Sequence, residues 1–505
     1  MPANRQRSAA KRRVAVGLIC TILDACSVQP PYASPALEVR TDWANLQARA
    51  PTTLQPEEEW WRALRDPVLD GLIEAAFDSS PSLAVAAAHL DEARATLGIQ
   101  IAQSRPQVSV SGNALRARVQ SGGGGIGSGG NMIVGSEITG GPTLAWELDV
   151  FGRLRQAQAA AGSRLTARTA DAAAARLLLA AQVAGTTMSL RACRAVLNVR
   201  RFDIESQERD LALTRQRVAL GFAAPVDESR ALSSLADAQT NFVAQDETCV
   251  QNRDALVELT GLSAAELDRR LGEAVSVAPG HSDDSYWFPK VPQATLSLPA
   301  TVLARHPAVI AAEREAAATY AEIGVARANR LPVFNLTAVL TGNWISASGS
   351  TLSYLAWSLM PAVSAPIVDG GRGAASVDAA SARYVAALGN LRETVRTTTQ
   401  DIENALSAHA HAKERLAAAA RAQEAAQTTL VATESQWRAG TVNLFQLEDT
   451  RRQRVAADET AVDAARASVQ AWIDVIRASG NAATFAPLGA AGTSDNSSAV
   501  PTQPD

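Results

Sequence analysis

The sequence contains a tandem duplication, and this repeat limits the possible folds more than any other feature. Three spacings between prolines or glycines, of 25, 69 and 40 residues, occur once in each half of the chain. They are Pro81–Pro106 and Pro307–Pro332, Gly152–Gly221 and Gly371–Gly440, and Gly221–Gly261 and Gly440–Gly480. We therefore predict two copies of one structural unit, at 58–261 and 298–480, joined by a linker at 262–297.

Each copy is predicted to contain a long helix and a shorter helix that folds back on it. Apolar residues recur every seven positions after Gly152, at Val183, Leu190, Leu197, Ile204, Leu211 and Val218. The same period continues after Gly221, at Leu235, Phe242, Cys249 and Leu256. Sustained heptads indicate coiled-coil packing, and a helix of roughly 65 residues is about 100 Å long. The second helix is expected to run antiparallel to the first.

Two cysteines are placed symmetrically about this turn. Cys193 lies 28 residues before Gly221, and Cys249 lies 28 residues after it. These positions are neighbours in an antiparallel pair that folds near the glycine, and a disulfide can form between them if the chain is exported to an oxidising compartment. We predict a disulfide between them; two small buried thiols are the alternative.

Between its helices, each copy has two segments with the alternation of β-strands. In 332–344, large apolar residues alternate with asparagine, threonine and small residues, and 354–360 alternates in a similar way. The counterparts in the first copy, 107–119 and 138–150, show the pattern more weakly. Strands with one apolar and one polar face suit a membrane β-barrel, although a hairpin in a water-soluble protein is the alternative.

Two hairpins provide only four strands, which are too few to close a barrel in a membrane. Open strand edges are not tolerated in hydrocarbon because their backbone groups would lack hydrogen-bond partners. We therefore predict that several copies of the chain share one barrel and one bundle of helices.

The N-terminus has the pattern of an exported lipoprotein. Basic residues precede an apolar run at 14–23, which fits a signal peptide over 1–25 and is too short to span a bilayer. Cys26 follows a sequence that resembles a lipobox, in which the cysteine is lipidated and becomes the mature N-terminus. Residues 26–57 are then a tether, and 481–505 a disordered tail. The alternative is an ordinary secretory signal followed by an incidental cysteine.

The composition argues against several functional classes. Residues 1–25 carry five basic residues and one aspartate, so their removal changes the formal charge from −4 to −8, which disfavours nucleic acid as a partner. No apolar run reaches the length of about eighteen residues that a transmembrane helix needs. The chain has five histidines and no arrangement of nucleophile, base and orienting group. We predict no enzymatic activity, no catalytic residues, no cofactor and no metal site.

The sequence resembles the TolC-type outer-membrane efflux factors, and within them the lipidated OprM/NodT branch. The resemblance covers nearly all of the predicted mature chain. It rests on "EEWWRALRDPVLDGLIEAA" at 58–76, "DVFGRLRQAQAA" at 149–160, the segment 298–338, and two stretches around Gly221 and Gly440, "RVALGFAAPVDESRA" at 217–231 and "QWRAGTVNLFQLEDTRR" at 436–452.

This resemblance implies a fold that is mainly α with membrane β. Three copies would form a twelve-stranded β-barrel in the outer membrane that continues into a twelve-helix α-barrel in the periplasm. The implied partners are two further copies of the chain, outer-membrane lipid, a periplasmic membrane-fusion adaptor and an inner-membrane pump of the resistance-nodulation-division type.

The resemblance also assigns roles to residues at the two helix tips. It implies adaptor docking at Leu220, Gly221, Phe222, Ala439, Gly440 and Thr441. In the family, acidic residues six and nine positions after the second-copy glycine surround the periplasmic constriction, and these positions are Gln446 and Asp449 here. Asp227 matches an acid that links the tips to a tyrosine and an arginine, but Trp437 and Val442 occupy the partner positions. We therefore expect this link to be missing and the end to be closed by packing that includes Trp437.

The functional prediction is a passive exit duct through which a tripartite pump expels small toxic compounds. An outer-membrane duct for type I protein secretion has the same fold and is the first alternative. A periplasmic coiled-coil lipoprotein without a pore is the alternative from another class.

Overall fold

The computed structural model describes residues 28–36, 40–45, 59–120, 132–277, 288–292, 299–347 and 349–480. The predicted signal peptide 1–25, Cys26 and the tail at 481–505 lie outside the described residues, as do parts of 26–57 and 262–297.

The described chain is mainly helical, and its elements occur in the same order in both copies. A 3-10 helix, Trp60–Leu64, lies at the start of the first copy. The first copy contains α1 (Pro67–Ser79), α2 (Pro81–Gln103), β1 (Gln107–Gln120), β2 (Met132–Leu148), α3 (Arg153–Ala219) and α4 (Pro225–Thr260). Helix α5 (Ala264–Val277) follows. The second copy contains α6 (Pro299–Arg305), α7 (Pro307–Ala328), β3 (Val333–Ala347), β4 (Ser350–Ser364), α8 (Arg372–Arg438) and α9 (Leu444–Ala478).

The two long helices have equal lengths, as the equal glycine spacings predict. Helices α3 and α8 contain 67 residues each, which corresponds to about 100 Å. Each ends just before a glycine with positive φ, Gly221 at 80° and Gly440 at 75°. This left-handed conformation suits glycine because it has no Cβ, and it reverses the chain after the helix.

The strands form one antiparallel sheet in the order β1-β2-β3-β4. Strands β2 and β3 come from different copies, so the sheet joins the two halves of the duplication. The register is regular, with Ala114 opposite Ile138, Ile138 opposite Trp344, and Trp344 opposite Ser353. Strands β1 and β4 lie at the two edges.

The chain divides into two compact units, and the first contains the sheet with the helical segments next to it. This unit comprises the described residues within Met1–Ala36, His89–Arg168 and Ala311–Arg392. Small residues allow close helix packing here, because Ala160, Ala318 and Ala321 are buried against one another.

The second unit comprises the described residues within Leu37–Ala88, Thr169–Ile310 and Glu393–Asp505, and it contains the main hydrophobic core. Trp60 and Trp61 are buried, and the Trp60 ring packs 5.6 Å from that of Trp472. Asp66 caps α1 by accepting a hydrogen bond from the backbone N–H of Leu69, and it pairs with Arg191 at the edge of this core.

The heptad seam of α3 is confirmed in the same unit. Val183, Leu190, Leu197 and Leu211 are buried, whereas Ile204 and Val218 are half-buried. On α4 the corresponding residues Leu235, Cys249 and Leu256 are buried and Phe242 is half-buried.

The structure contains the disulfide between Cys193 on α3 and Cys249 on α4, with 5.5 Å between the two Cα atoms. The two cysteines are 56 positions apart, and closing a loop of this length stabilises the folded state by about 4 kcal/mol in the chain-entropy description.

Helix α5 lies in the segment between the copies and was not predicted. Leu267 and Leu271 are buried in the core of the second unit, so this part of the linker is a packed element and not a free connection.

None of the described helices is long and apolar enough to cross a membrane.

Candidate functional site

The two faces of the sheet differ in chemistry. Because side chains alternate along a strand and neighbours across strands share a face, the register defines one face rich in large apolar residues. Its larger members are Val108, Val110, Ile138, Leu144, Trp146, Leu148, Phe334, Leu336, Leu340, Trp344, Leu355, Trp357, Leu359 and Val363. The apolar face that the sequence predicts for all four strands, more weakly in the first copy, is therefore confirmed.

The opposite face is largely polar. It carries serine, threonine and asparagine residues from all strands, together with Glu137 and Glu147 on β2. Glu147 accepts hydrogen bonds from Nε and Nη2 of Arg153 at 2.9 and 2.7 Å, where β2 leads into α3. Such a sheet can separate hydrocarbon on one side from water on the other.

The first helix tip exposes apolar side chains. Leu220 and Phe222 are 70% and 75% exposed. The N–H groups of Gly221 and Phe222 donate to the carbonyls of Val218 and Arg217, so the turn satisfies the last carbonyls of α3. The side chains are presented outward on a turn held by its own backbone.

The second tip has the same construction. The N–H groups of Gly440 and Thr441 donate to the carbonyls of Trp437 and Gln436 at 2.9 and 3.0 Å. Ala439, Gly440 and Thr441 are exposed. Asn443 caps α9 by accepting a hydrogen bond from the N–H of Gln446.

The residues expected at the constriction lie on the first two turns of α9. Gln446 is exposed, and the side chain of Asp449 is 51% exposed. Asp449 accepts a hydrogen bond from Gln453 at 2.8 Å and lies 3.6 Å from the guanidinium of Arg452. Both side chains are thus exposed at the end of the helices where the constriction is expected.

As the sequence analysis expects, the contacts described for Asp227 do not link it to the other tip. Its carboxylate accepts a hydrogen bond from the N–H of Ala224 and lies 3.6 Å from Arg230, so its contacts are at the start of α4. Trp437 is half-buried at the end of α8.

A buried charged cluster near the tips was missed by the sequence analysis. Arg451 on α9 donates to Asp210 on α3 at 2.6 Å and to Glu448 at 2.8 Å, and its Nη2 atom lies 3.9 Å from Glu434 on α8. One guanidinium thus faces three carboxylates from three helices. Asp210 and Arg451 are 241 positions apart in sequence, and no local pattern marks them as partners.

The pKa of Glu448 is strongly shifted within this cluster. Its side chain is only 17% exposed, and its Oε2 atom is buried without a hydrogen-bond partner. Burial and the neighbouring Asp210 raise the pKa to about 8, against the opposing effect of Arg451. Glu448 is therefore largely protonated at neutral pH.

A sheet with one apolar and one polar face, carried on helices of 67 residues, defines a membrane channel of the TolC-like fold. A family model described as "Outer membrane efflux protein" matches residues 72–262 and 298–481. The chain belongs to this family. It is an outer-membrane efflux channel that extends into the periplasm.

Individual relatives are similar to this chain over nearly its whole length. Outer membrane protein OprJ of Pseudomonas aeruginosa is 28% identical over 472 residues, which cover 92% of this chain and 94% of OprJ. The structure of the outer-membrane channel OprN is 26% identical with a TM-score of 0.77, covering 90% of this chain and 99% of OprN. The CmeC outer membrane channel of Campylobacter jejuni shares the fold at 21% identity, with a TM-score of 0.79 and coverage of 90% and 95%.

Proposed function

We propose that three copies of the chain form the outer-membrane exit duct of a tripartite pump that expels drugs or other small toxic compounds. The observation that carries this proposal is the sheet, which has an apolar and a polar face and two edges of 14 and 15 residues. Such edges would be left unpaired in a single copy in a membrane. Pairing β1 of one copy with β4 of the next removes every edge.

The number three is supported by the interior that it creates. Two copies would give eight strands, and barrels of this size are filled by their own side chains. Three copies give twelve strands, which leave room for a water-filled passage lined by the polar face. The family relationship to outer-membrane channels favours the same assembly.

The apolar tips support a periplasmic adaptor as partner. Leu220, Phe222 and Phe445 are large apolar residues that are at least 70% exposed. Burying them against another protein stabilises a complex through the hydrophobic effect. The proposed occupant is a membrane-fusion adaptor that connects the duct to an inner-membrane pump of the resistance-nodulation-division type.

Lipidation of Cys26 is also proposed, and the described part of the N-terminal segment supports it. Gln29 donates a hydrogen bond to the carbonyl of Tyr320 on α7 at 2.7 Å, and the Tyr32 ring packs 5.6 Å from the Tyr320 ring. Tyr320 precedes the first residue of β3 by 13 positions, which is roughly 20 Å along a helix. Three residues from Gln29 reach up to about 10 Å, so an acyl chain on Cys26 can approach the membrane beside the sheet.

The proposal is tested with the full-length protein purified in detergent. Native mass spectrometry is expected to show a trimer, and planar bilayers are expected to show discrete conductance steps. A monomer without conductance would indicate the coiled-coil lipoprotein without a pore.

A deletion strain separates the two kinds of duct. Loss of the protein is expected to increase susceptibility to small toxic compounds and to leave secreted proteins unchanged. Loss of a secreted protein with unchanged susceptibility would indicate type I secretion.

A further inference from the structure

The charged residues of the sheet are separated by sign. Among the described strand residues, only four are charged, and the register places Arg116 and Arg118 of β1 on the apolar face. The other two, Glu137 and Glu147, lie on the polar face. Two arginines therefore project from the side of the sheet that is otherwise suited to lipid.

Their height along the strands is defined by the register. Arg116 lies opposite Ser136, which lies opposite Ser346. One step closer to the helices, Ala114 lies level with Ile138 and Trp344. Arg116 is thus one level beyond Ile138 and Trp344, and Arg118 is two residues further, opposite Val134.

The apolar band below the arginines has the height of a bilayer core. From Phe334 to Trp344 there are ten residue steps, which correspond to about 33 Å along a strand and about 25 Å at a tilt of roughly 40°. This equals the outward-facing apolar band of outer-membrane barrels, about 25 Å. All four helix connections leave from the opposite end of the sheet, so the arginines lie at the depth of the headgroups of the outer leaflet.

Both guanidinium groups are available for a ligand. Arg116 and Arg118 are exposed, and neither has an ion-pair partner among the residues that the structure describes. No described carboxylate of the sheet lies on their face. An arginine is costly at the bilayer midplane but nearly free of cost at the interface, so this position is compatible with insertion.

We propose that Arg116 and Arg118 form a binding site for the phosphate groups of a lipid in the outer leaflet. The proposal rests on the function proposed above, since it requires the sheet to span the outer membrane. A guanidinium group binds a phosphate through two parallel hydrogen bonds. Two arginines on one face, about 7 Å apart along the strand, can bind one phosphate together or two phosphates of one headgroup. The apolar surface below them accommodates the acyl chains.

The test is a lipid titration of the purified wild-type protein and of Arg116→Gln/Arg118→Gln, followed by native mass spectrometry. The probe is lipid A with both phosphates, compared with lipid A from which the phosphates have been removed. Each basic residue near an anionic headgroup contributes an increment that corresponds to about a fivefold change in affinity. The double variant is therefore expected to bind phosphorylated lipid A about thirtyfold more weakly, whereas the dephosphorylated lipid should bind both proteins equally.

The matched control is Arg415→Gln/Arg421→Gln, which removes two exposed arginines from α8 and should keep the wild-type affinity. Equal binding of phosphorylated lipid A to the wild-type protein and to Arg116→Gln/Arg118→Gln would overturn the proposal. Displacement of the lipid by an equal concentration of inorganic phosphate would also overturn it, since the site would then be one for free anions.

Assembly is measured in parallel for every variant. The arginine variant is expected to remain a conducting trimer, because its substitutions lie on the face directed away from the passage. If it does not assemble, the single substitutions provide the measurement, and wild-type affinity in both would contradict the proposal. Failure of the wild-type protein to form a trimer would refute the proposed function independently of the lipid titration.

Discussion

Replacing Glu448 by glutamine is expected to remove a pH dependence from the periplasmic end of the helices. Glu448 has an ordinary pKa of 4.5 and a pKa of about 8 in the folded protein, because it is buried beside Asp210. Between these two values the folded state retains a proton that the locally opened state releases. Raising the pH therefore favours opening. The contribution of Glu448 to the stability of the folded state is complete below about pH 4.5 and is lost as the pH approaches about 8.

The size of this pH dependence follows from the release of one proton each time the helix ends open. Each pH unit in this window changes the free energy of local opening by about 1.4 kcal/mol. From pH 5.5 to 7.5 the free energy of local opening should fall by about 2.7 kcal/mol. The equilibrium constant for opening should therefore rise about a hundredfold. Glutamine has nearly the same shape as the protonated acid, and it can accept from Arg451 and donate to Asp210. Glu448→Gln should therefore keep the protection from exchange that the wild-type protein has at low pH. The free energy of local opening should then show almost no dependence on pH in this variant.

Hydrogen–deuterium exchange of the assembled protein is the suitable assay, because it reports opening of the α3 and α9 ends separately from global unfolding. Peptides covering 204–214 and 444–456 are compared at several pH values after correction for the intrinsic exchange rate. Asp203, whose pKa burial also raises, adds a pH dependence of the same sign. The quantity to compare is therefore the difference between wild type and variant.

The control is Glu414→Gln, which neutralises an exposed carboxylate on α8 and should leave the wild-type slope unchanged. Wild-type protection that does not vary between pH 5.5 and 7.5 would refute the reasoning. The same conclusion would follow if Glu448→Gln kept the full slope, since another group would then carry the proton.

Four further outcomes are expected. Gly141→Ala should strongly reduce the yield of trimer, since an added Cβ would clash with the backbone carbonyl of Leu340 on the neighbouring strand and overpacking costs roughly 1–3 kcal/mol or more. Gly112→Ala, whose Cβ would meet its neighbour at 3.8 Å, is the control, and equal yields of the two variants would contradict this reasoning. Cys26→Ser should abolish incorporation of labelled palmitate, and persistence of the label would exclude this residue as the acceptor. Asp449→Ala should lower cation selectivity in planar bilayers, because three such carboxylates around an axis would attract cations. Trp437→Ala should raise conductance by loosening the closed end, and unchanged behaviour of both variants would place the constriction elsewhere.

The repetitive features of the protein could be predicted from the sequence because each depends on local periodicity. The heptads of α3 and α4 specify which residues are buried, and the burial of Val183, Leu190 and Leu256 agrees with that prediction. The equal distances of Cys193 and Cys249 from Gly221 were sufficient to predict their disulfide, because an antiparallel helix pair folds symmetrically about its turn.

The local structure of the tips could also be anticipated from their glycines. Gly221 and Gly440 both have the positive φ that a helix ending in a tight reversal requires. The absence of a link from Asp227 to the other tip was expected, because Trp437 and Val442 occupy the partner positions. The contacts that Asp227 makes at the start of its own helix were not predicted, because several partners are within reach of one carboxylate.

Contacts between the two copies were decided only by the tertiary structure. Arg451 meets Asp210 across 241 positions, and Gly141 lies against the backbone of a strand from the other copy. The pKa of Glu448 also depends on this arrangement, since desolvation and the proximity of Asp210 exist only after three helices have packed together. Periodicity determines which face of an element is buried, but it does not determine which residue of a distant element lies opposite; that depends on the register in which the packed elements fit together.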